Sequence, residues 1–474
     1  MENVEFIVEP EKKIPVLMKV DVTVAGAGPA GFAAAISAAR TGAKVLLVEE
    51  SNYVGGLMAC LPILGHCNYA GEQMIFGIAQ ELVDNLVQIG ASPGLVRDPR
   101  LGSIVPVDSE MLKVVTQKMV EEAGVKLLFH TYAVAPIMDG NRVKGIIVEN
   151  KSGRQAILSN VVIDATGDGD IAARAGASFE IKDRDQIQPG TLMFRMDHVN
   201  VDKIRLAVAE NPENARLIPG HNDMYPDVVA YFLKAKKFVI DGFVSQLKEA
   251  RKNGDIPPDF PMEWVIIVTQ PRDDEVAINM AMATGFHSID AMDLTRAEIE
   301  ARKRIPVVVN FLKKYIPGFE NAQLIASHNI IGVRESRRII GDYTLTEEDV
   351  MQNKRFPDGV AIGTWVPAWG HHPKGKIWRL EERKFPKEAV KGFEVPYRCL
   401  LPRGLEGILV AGRCISVTGW AQNSIRVMAP IMSIGQAAGT AAALAAKEGV
   451  TPRKVDVSRI REALVKQGVR LLDR

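Results

Sequence analysis

The sequence predicts a mixed α/β protein: a Rossmann-like strand-helix-strand unit, interrupted by an α+β insertion. Three observations predict it. Residues 21–49 read as a strand, a glycine-rich corner, a helix and a second strand. Residues 179–399 lose that alternation. Residues 407–410 restore it with an apolar strand running into Ala411-Gly412-Arg413. The expected divisions are 1–178 for the first part of the nucleotide-binding domain, 179–399 for a substrate or cap domain, and 400–474 for the return segment.

The opening unit is the most informative stretch. Residues 21–26 are rich in Val and Ala, as a buried parallel strand requires. Gly26-Ala27-Gly28-Pro29-Ala30-Gly31 follows, a GxGxxG. Residues 32–41 have helical composition, and Gly42 is a plausible stop. Gly26 permits the tight turn, Gly28 lets a pyrophosphate approach the backbone, and Gly31 lets the helix sit close to the strand. Exposed amides at the helix N-terminus, around Pro29 and Ala30, bind phosphate with help from the helix dipole, Pro29 itself having no N–H to give. Residues 44–49 form the second strand, and Glu49 at its end can accept both hydroxyls of a ribose. A lone GxGxxG also occurs as a turn in other α/β units. The flanking strands, the helix and the acid make a dinucleotide site the expectation here.

The remaining elements follow in order. Residues 5–20 read as an extended lead-in and 51–56 as a loop, in which Gly55-Gly56 suits close contact with a ligand. Residues 57–67 are apolar and irregular, 73–90 helical, and 91–108 loop. Asp108 or Ser109 can cap a helix through 110–123, which Gly124 ends. Residues 125–134 and 142–149 read as strands around an Asp139-Gly140-Asn141 turn, and 155–163 as another that runs into Asp164-Ala165-Thr166-Gly167-Asp168-Gly169-Asp170. In the middle region 191–198, 264–270, 275–280, 329–334 and 359–365 read as strands. Residues 228–252 read as one helix. Residues 294–315 read as a second long helix, which Pro306 should kink or split. Residues 427–446 carry no charge and have the length of a membrane span. Their Ala, Gly, Ser and Thr content, with Gln436 and Pro430, fits a buried helix better. Residues 451–474 are a charged helical terminus.

Composition bounds the partners. The chain of 474 residues has a net charge of +1, so no electrostatic nucleic-acid or membrane partner is indicated. The N-terminus lacks the apolar core of a secretory signal. Cys60, Cys67, Cys399 and Cys414 show neither CxxC nor metal-ligand spacing, so no metal is expected and a reduced, cytoplasmic protein is the simplest expectation. A homo-oligomer is left open.

Beyond residue-level patterns, the chain resembles the FAD-dependent oxidoreductases of the two-dinucleotide-fold, p-hydroxybenzoate-hydroxylase-like type, and one bacterial and archaeal branch in particular. The stretches that carry the resemblance are NYVGGLMA (52–59), DATGDGDIAARAGA (164–177), QPGTLMFRM (188–196), IGVRESRRIIGDYTLTEEDV (331–350) and LLPRGLEGILVAGRC onward through 443. The resemblance implies FAD as cofactor. It implies that Ala165, Thr166 and Gly167 cross beside it, and that Gly412 and Arg413 close over the pyrophosphate and ribitol. It further implies that Val134 pairs its backbone with the adenine, and that Gly55, Gly56 and Leu57 run beneath the ribitol. Arg426, Val427 and Met428 would touch the pyrimidine edge of the flavin. Glu50 is a departure, since two acids close the strand and one suffices for the ribose. Arg426, ahead of an uncharged helix, is the candidate cation for the negative charge of reduced flavin, the alternative being a surface salt bridge.

The candidate catalytic groups are Arg334 and Arg337, with Arg338 beside them, and His371 and His372 after Trp365-Val366-Pro367-Ala368-Trp369. Adjacent His residues in a strand face opposite ways, so at most one reaches a substrate. Inter-domain salt bridges for the arginines and a solvated loop for the histidines stand as alternatives. Cys60 as a redox partner and His66 as a covalent flavin anchor are weaker candidates beside simple packing roles. The absence of CxxC and of a second GxGxxG argues against disulfide-reductase chemistry and a built-in nicotinamide domain. The leading expectation is hydride transfer between a small, polar or anionic organic substrate and flavin N5, with an electron acceptor that the sequence does not name. The alternatives are reduction of an activated C=C bond in the manner of fumarate-reductase relatives, and a non-catalytic flavin-containing RNA-modification subunit.

Overall fold

A computed structural model of the chain describes residues 5–59, 64–68, 70–98, 101–215, 228–364 and 391–472. Its central element is a seven-stranded sheet. The Val16–Ala25 strand lies in the middle, paired in parallel with Val45–Val48 on one side and Gly153–Asp164 on the other. Lys126–Leu128 extends the parallel set beyond Val45–Val48. The far end of Gly153–Asp164 pairs in parallel with Ile408–Val410, while its near end pairs antiparallel with Arg142–Asn150, which in turn pairs with Tyr132–Asp139. The last third of the chain therefore completes the sheet begun by the first.

Two helices cover the corner of this sheet. Pro29–Arg40 is buried from Ala30 to Ala38, and Met428–Glu448 is buried from Met428 to Ala445. Their small residues bring the two backbones together. A Cβ added at Gly435 would lie 2.1 Å from the Ala30 carbonyl oxygen, and one at Gly439 2.1 Å from that of Ala34. Matching positions rise together in number, so the helices run parallel and their N-termini share one end. Ser37 Oγ locks the pair by donating to the Gln436 carbonyl at 2.9 Å. The second helix has the length and composition of a membrane span, yet it is 94% buried within the protein, so packing accounts for its apolar character.

A second hydrophobic core lies against a five-stranded sheet, ordered Val239–Gly242, Val265–Thr269, Val276–Ile278, Phe194–Asp197 and Gln323–Ser327. The Ala291–Tyr315 helix packs into it through Ala297, Ala301, Ile305 and Val308. The segment 179–399 divides between the two cores. Its buried apolar residues from Leu192 to Ile331 join the second, whereas Ile339, Val360, Val395 and Cys399 join the first.

Several expected elements are corrected. Residues 228–252 are not one helix: Val228–Lys234 and Val244–Lys252 flank the strand Val239–Gly242. The β-branched Val239-Ile240 pair is claimed by its neighbour Val265–Thr269, so tertiary pairing overrides the helical surroundings. Pro306 neither ends nor splits its helix, which continues from Ala291 to Tyr315. The strand expected at 329–334 lies earlier, at Gln323–Ser327. Residues 125–134 form two strands, broken at His130, whose φ of 51° takes the chain out of extended geometry. The lead-in and the 91–108 loop also contain strands, since the central strand starts at Val16 and Val96–Asp98 pairs with Gly102–Ile104.

Candidate functional site

A cavity of about 950 Å³ lies between the two cores. Its inner wall is the corner where the Val16–Ala25 strand turns into the Pro29–Arg40 helix. Gly26 has φ +95°, and a Cβ there would lie 2.5 Å from the Ala165 carbonyl oxygen; one at Gly31 would lie 1.8 Å from that of Gly26. These two glycines are required by packing. Gly28 differs, because a Cβ there would meet nothing within 4 Å and its φ of −64° is open to any residue. Its bare face is turned to the cavity.

Both parallel helices begin on this wall. Neither first turn contains an acid, and neither N-cap residue, Gly28 or Val427, makes a side-chain capping bond. Such helix ends leave amides without intrahelical partners, and two of them converge on one space with their positive dipole ends. Glu49 closes the second strand. Its Oε2 accepts from the Ala27 amide at 2.6 Å and its Oε1 from the Ser51 amide at 2.9 Å, which fixes the carboxylate and leaves further lone pairs on each oxygen. Gly56 packs against the same corner, its Cβ position 3.0 Å from Gly28 Cα, and the Gly55 amide donates to the Ala27 carbonyl at 2.9 Å. The bare corner, the uncapped end of the Pro29–Arg40 helix and the fixed carboxylate fit the diphosphate and ribose of FAD, and the Met428–Glu448 helix begins about 9 Å further along the cavity.

The cavity gathers most of the expected cofactor set. Gly26, Gly28, Pro29, Ala30, Glu49, Glu50, Gly56, Leu57, Val134, Ala165, Thr166, Gly167, Gly412, Arg413, Arg426, Val427 and Met428 line it. Gly31 and Gly55 stand behind that surface and shape it. Glu50 is the less comfortable of the two acids. Desolvation, then Glu49, Asp170 and Asp168, push its pKa above the ordinary 4.5.

The opposite wall carries Arg334. Its Nη1 donates to the Pro189 carbonyl at 2.6 Å and to Thr191 Oγ1 at 2.8 Å, and its Nη2 to Asn279 Oδ1 at 3.2 Å. All three acceptors are neutral. Burial, then the neighbouring Arg426, push its pKa down to about 9; the guanidinium remains charged at neutral pH. Arg426 is likewise pushed down to about 10, by burial first, with Arg413 adding to it and Glu335 opposing. Leu101, Met193 and Ile266 give this half of the cavity apolar flanks.

Other candidates are placed elsewhere. Arg337 does not line the cavity. It pairs with Asp170 at 2.8 Å, reaches the Asp168 carbonyl and lies over the Phe179 ring. Arg338 pairs with Glu180 and with the buried Glu335, which also holds Lys182 at 2.7 Å. The inter-domain salt-bridge alternative therefore describes Arg337, whereas the partners of Arg338 lie with it inside 179–399. His66 is fully buried away from the cavity wall, and burial lowers its pKa. Cys67 is off the wall as well. His371, His372 and Cys60 lie outside the described residues. Sequence reasoning missed Thr191 and Asn279, which hold Arg334 from distant strands with no motif to announce them. It also missed Asp168, which sits inside the 164–177 stretch with no role that the pattern assigns.

Comparison with known proteins gives a family model described as FAD dependent oxidoreductase, matching residues 21–464. A thiamine thiazole synthase of Aeropyrum pernix is 31% identical over 171 residues, 33% of this chain and 58% of that protein. A digeranylgeranylglycerophospholipid reductase of Methanocaldococcus jannaschii is 30% identical over 164 residues, 33% of this chain and 40% of that protein. The chain thus spans less than two thirds of the length of these curated relatives. Among solved structures, a geranylgeranyl bacteriochlorophyll reductase-like protein of Thermoplasma acidophilum is similar with a TM-score of 0.45 at 14% identity, over 95% of this chain and 84% of that one.

Proposed function

The chain belongs to the family of FAD dependent oxidoreductases, and from that premise we propose that it transfers a hydride between FAD and a small organic carboxylate held by Arg334. When bound, FAD supplies the two-electron acceptor or donor. The protein's own residues do the rest. The uncapped end of the Pro29–Arg40 helix and the corner at Gly28 receive the diphosphate, Glu49 holds the ribose, and Arg426, at the start of the Met428–Glu448 helix, sits where negative charge on the ring would be favoured. The proposed substrate-facing unit is the second core, whose side of the cavity supplies Arg334 its partners.

The observation that carries the substrate class is the donor count at Arg334. Three of its five N–H donors are spent on neutral oxygens. No carboxylate pairs with it among the described residues. A charged guanidinium on a cavity wall, with two donors remaining and no counter-ion, suits a bidentate carboxylate.

The test is an anaerobic screen that follows bleaching of bound FAD with 2-hydroxy, 2-amino and saturated acids, and reoxidation of reduced enzyme by α,β-unsaturated acids. The second arm supports the alternative direction, C=C reduction. Arg334→Gln should raise KM for any active acid roughly 100-fold, corresponding to about 3 kcal/mol for a lost bidentate pair, with FAD affinity little changed. An unchanged KM refutes the carboxylate role.

A further inference from the structure

One partly buried carboxylate joins three distant segments at the cofactor cavity. Asp168 Oδ1 accepts from Arg413 Nη2 at 2.5 Å, from Ser336 Oγ at 2.5 Å and from Ser288 Oγ at 3.1 Å. Arg413 follows the Ile408–Val410 strand of the first sheet. Ser336 lies two residues beyond Arg334. Ser288 precedes the Ala291–Tyr315 helix of the second core. Desolvation alone would raise the Asp168 pKa, but the Arg413 charge and the hydroxyl donors outweigh it and hold the group below its ordinary 3.8. The carboxylate is therefore ionised at neutral pH.

Arg413 is fixed from a second direction. A Cβ at Gly167 would lie 2.9 Å from its Nη1, so the guanidinium rests on a bare stretch of backbone. Two effects of the neighbouring carboxylate compete. It orients the guanidinium, which favours binding of a diphosphate, and it part-neutralises that guanidinium, which disfavours it. A free arginine would lose much of its side-chain freedom on engaging a ligand. The three-donor arrangement removes that freedom before any ligand engages, so orientation is the larger effect.

We propose that Asp168 is the positioning residue of the cofactor site: it holds Arg413 in the orientation that engages the FAD diphosphate, and Ser288 and Ser336 hold Asp168. The proposal rests on placing the diphosphate in this cleft. The experiment is a double-mutant cycle read by titrating apoprotein with FAD, following quenching of flavin fluorescence, with apoprotein Tm measured in parallel. Asp168→Asn should weaken FAD binding 10-fold or more, and Ser288→Ala and Ser336→Ala each 2- to 5-fold. In an Arg413→Gln background, Asp168→Asn should change the affinity less than 2-fold, because the group it positions is gone. Equal losses in both backgrounds, or tighter binding by Asp168→Asn alone, overturn the proposal. If Asp168→Asn does not fold, Ser288→Ala/Ser336→Ala takes its place in the same cycle: a loss confined to the Arg413 background supports the proposal, and equal losses overturn it. Failure of Arg413→Gln itself to weaken binding would refute the placement of the diphosphate, a distinct result from failure of the cycle.

Discussion

The three glycines of the corner separate ligand binding from folding, and Gly28→Ala against Gly31→Ala tests that separation. At Gly28 the added methyl meets no atom within 4 Å and the backbone sits at φ −64°. Apoprotein stability should then change by less than about 0.5 kcal/mol, as for an unobstructed surface change. The methyl nevertheless stands on the cavity wall where the diphosphate is proposed to rest on the backbone. Displacing it lengthens at least one charge-assisted N–H···O bond, worth about 1.5–3 kcal/mol, or roughly 10- to 100-fold in Kd. At Gly31 the methyl would lie 1.8 Å from the Gly26 carbonyl oxygen. That contact requires the helix to move off the strand, with an overpacking cost of at least about 3 kcal/mol. Urea unfolding of apoprotein and FAD titration supply the two readings. Gly28→Ala should lose affinity with stability intact, and Gly31→Ala should lose both. The reasoning is refuted if Gly28→Ala destabilises the apoprotein by more than about 1 kcal/mol, or if a stable Gly28→Ala binds FAD as the parent does.

Three further outcomes are expected. Gly435→Ala places a methyl 2.1 Å from the Ala30 carbonyl oxygen; a clash that close with backbone puts overpacking at the upper end, about 3 kcal/mol, above the roughly 1 kcal/mol gained in helix propensity, so apoprotein Tm falls and FAD binding weakens as the paired helix ends separate. A raised Tm would contradict the close packing. Glu50 has a raised pKa in the folded protein, so it binds more protons folded than unfolded above 4.5, and stability is lost as pH rises through that window. Glu50→Gln should raise Tm at pH 7 and leave it unchanged at pH 4, while Glu49→Gln should cost FAD affinity. Equal effects of the two on FAD titration would show that both acids grip the ribose. Arg337→Gln removes a half-buried pair with Asp170 and should lower thermal stability by about 1–2 kcal/mol, read as a drop in Tm with KM for an active acid maintained; a rise in KM without a Tm change would return Arg337 to the substrate site.

Legibility in the sequence followed the range of the signal. The corner at 26–31 and its acid were readable because turn, close approach and helix start fall within six residues and the acid closes the next strand, although the contact of Gly26 with Ala165 showed only in the fold. The helix at 428–448 was readable from its Gly and Ala spacing, which reports a close neighbour without naming it. Its partner, the helix of Ala30 and Ala34, emerged only in three dimensions. The strand Val239–Gly242 was lost among helical neighbours because its partner at 265–269 decides its state. Arg334 and Arg337 looked equivalent in a run of charges, and only the placement of Asp170 and Thr191 tells the ion-paired one from the one facing the cavity. Asp168 belonged to a visible motif, but its role depends on donors from residues 288, 336 and 413.

The parallel helix pair also sets a schedule for biosynthesis. Ser37 and Gln436 meet across 399 positions of chain, which a ribosome adds at rates that put roughly 20–80 s between them. Throughout that interval the nascent Pro29–Arg40 helix lacks the neighbour that covers its alanine carbonyls, and the second positively ended helix has yet to emerge. A chain that stops ahead of residue 428 would carry the early corner without the helix that Ser37 and Gln436 tie to it.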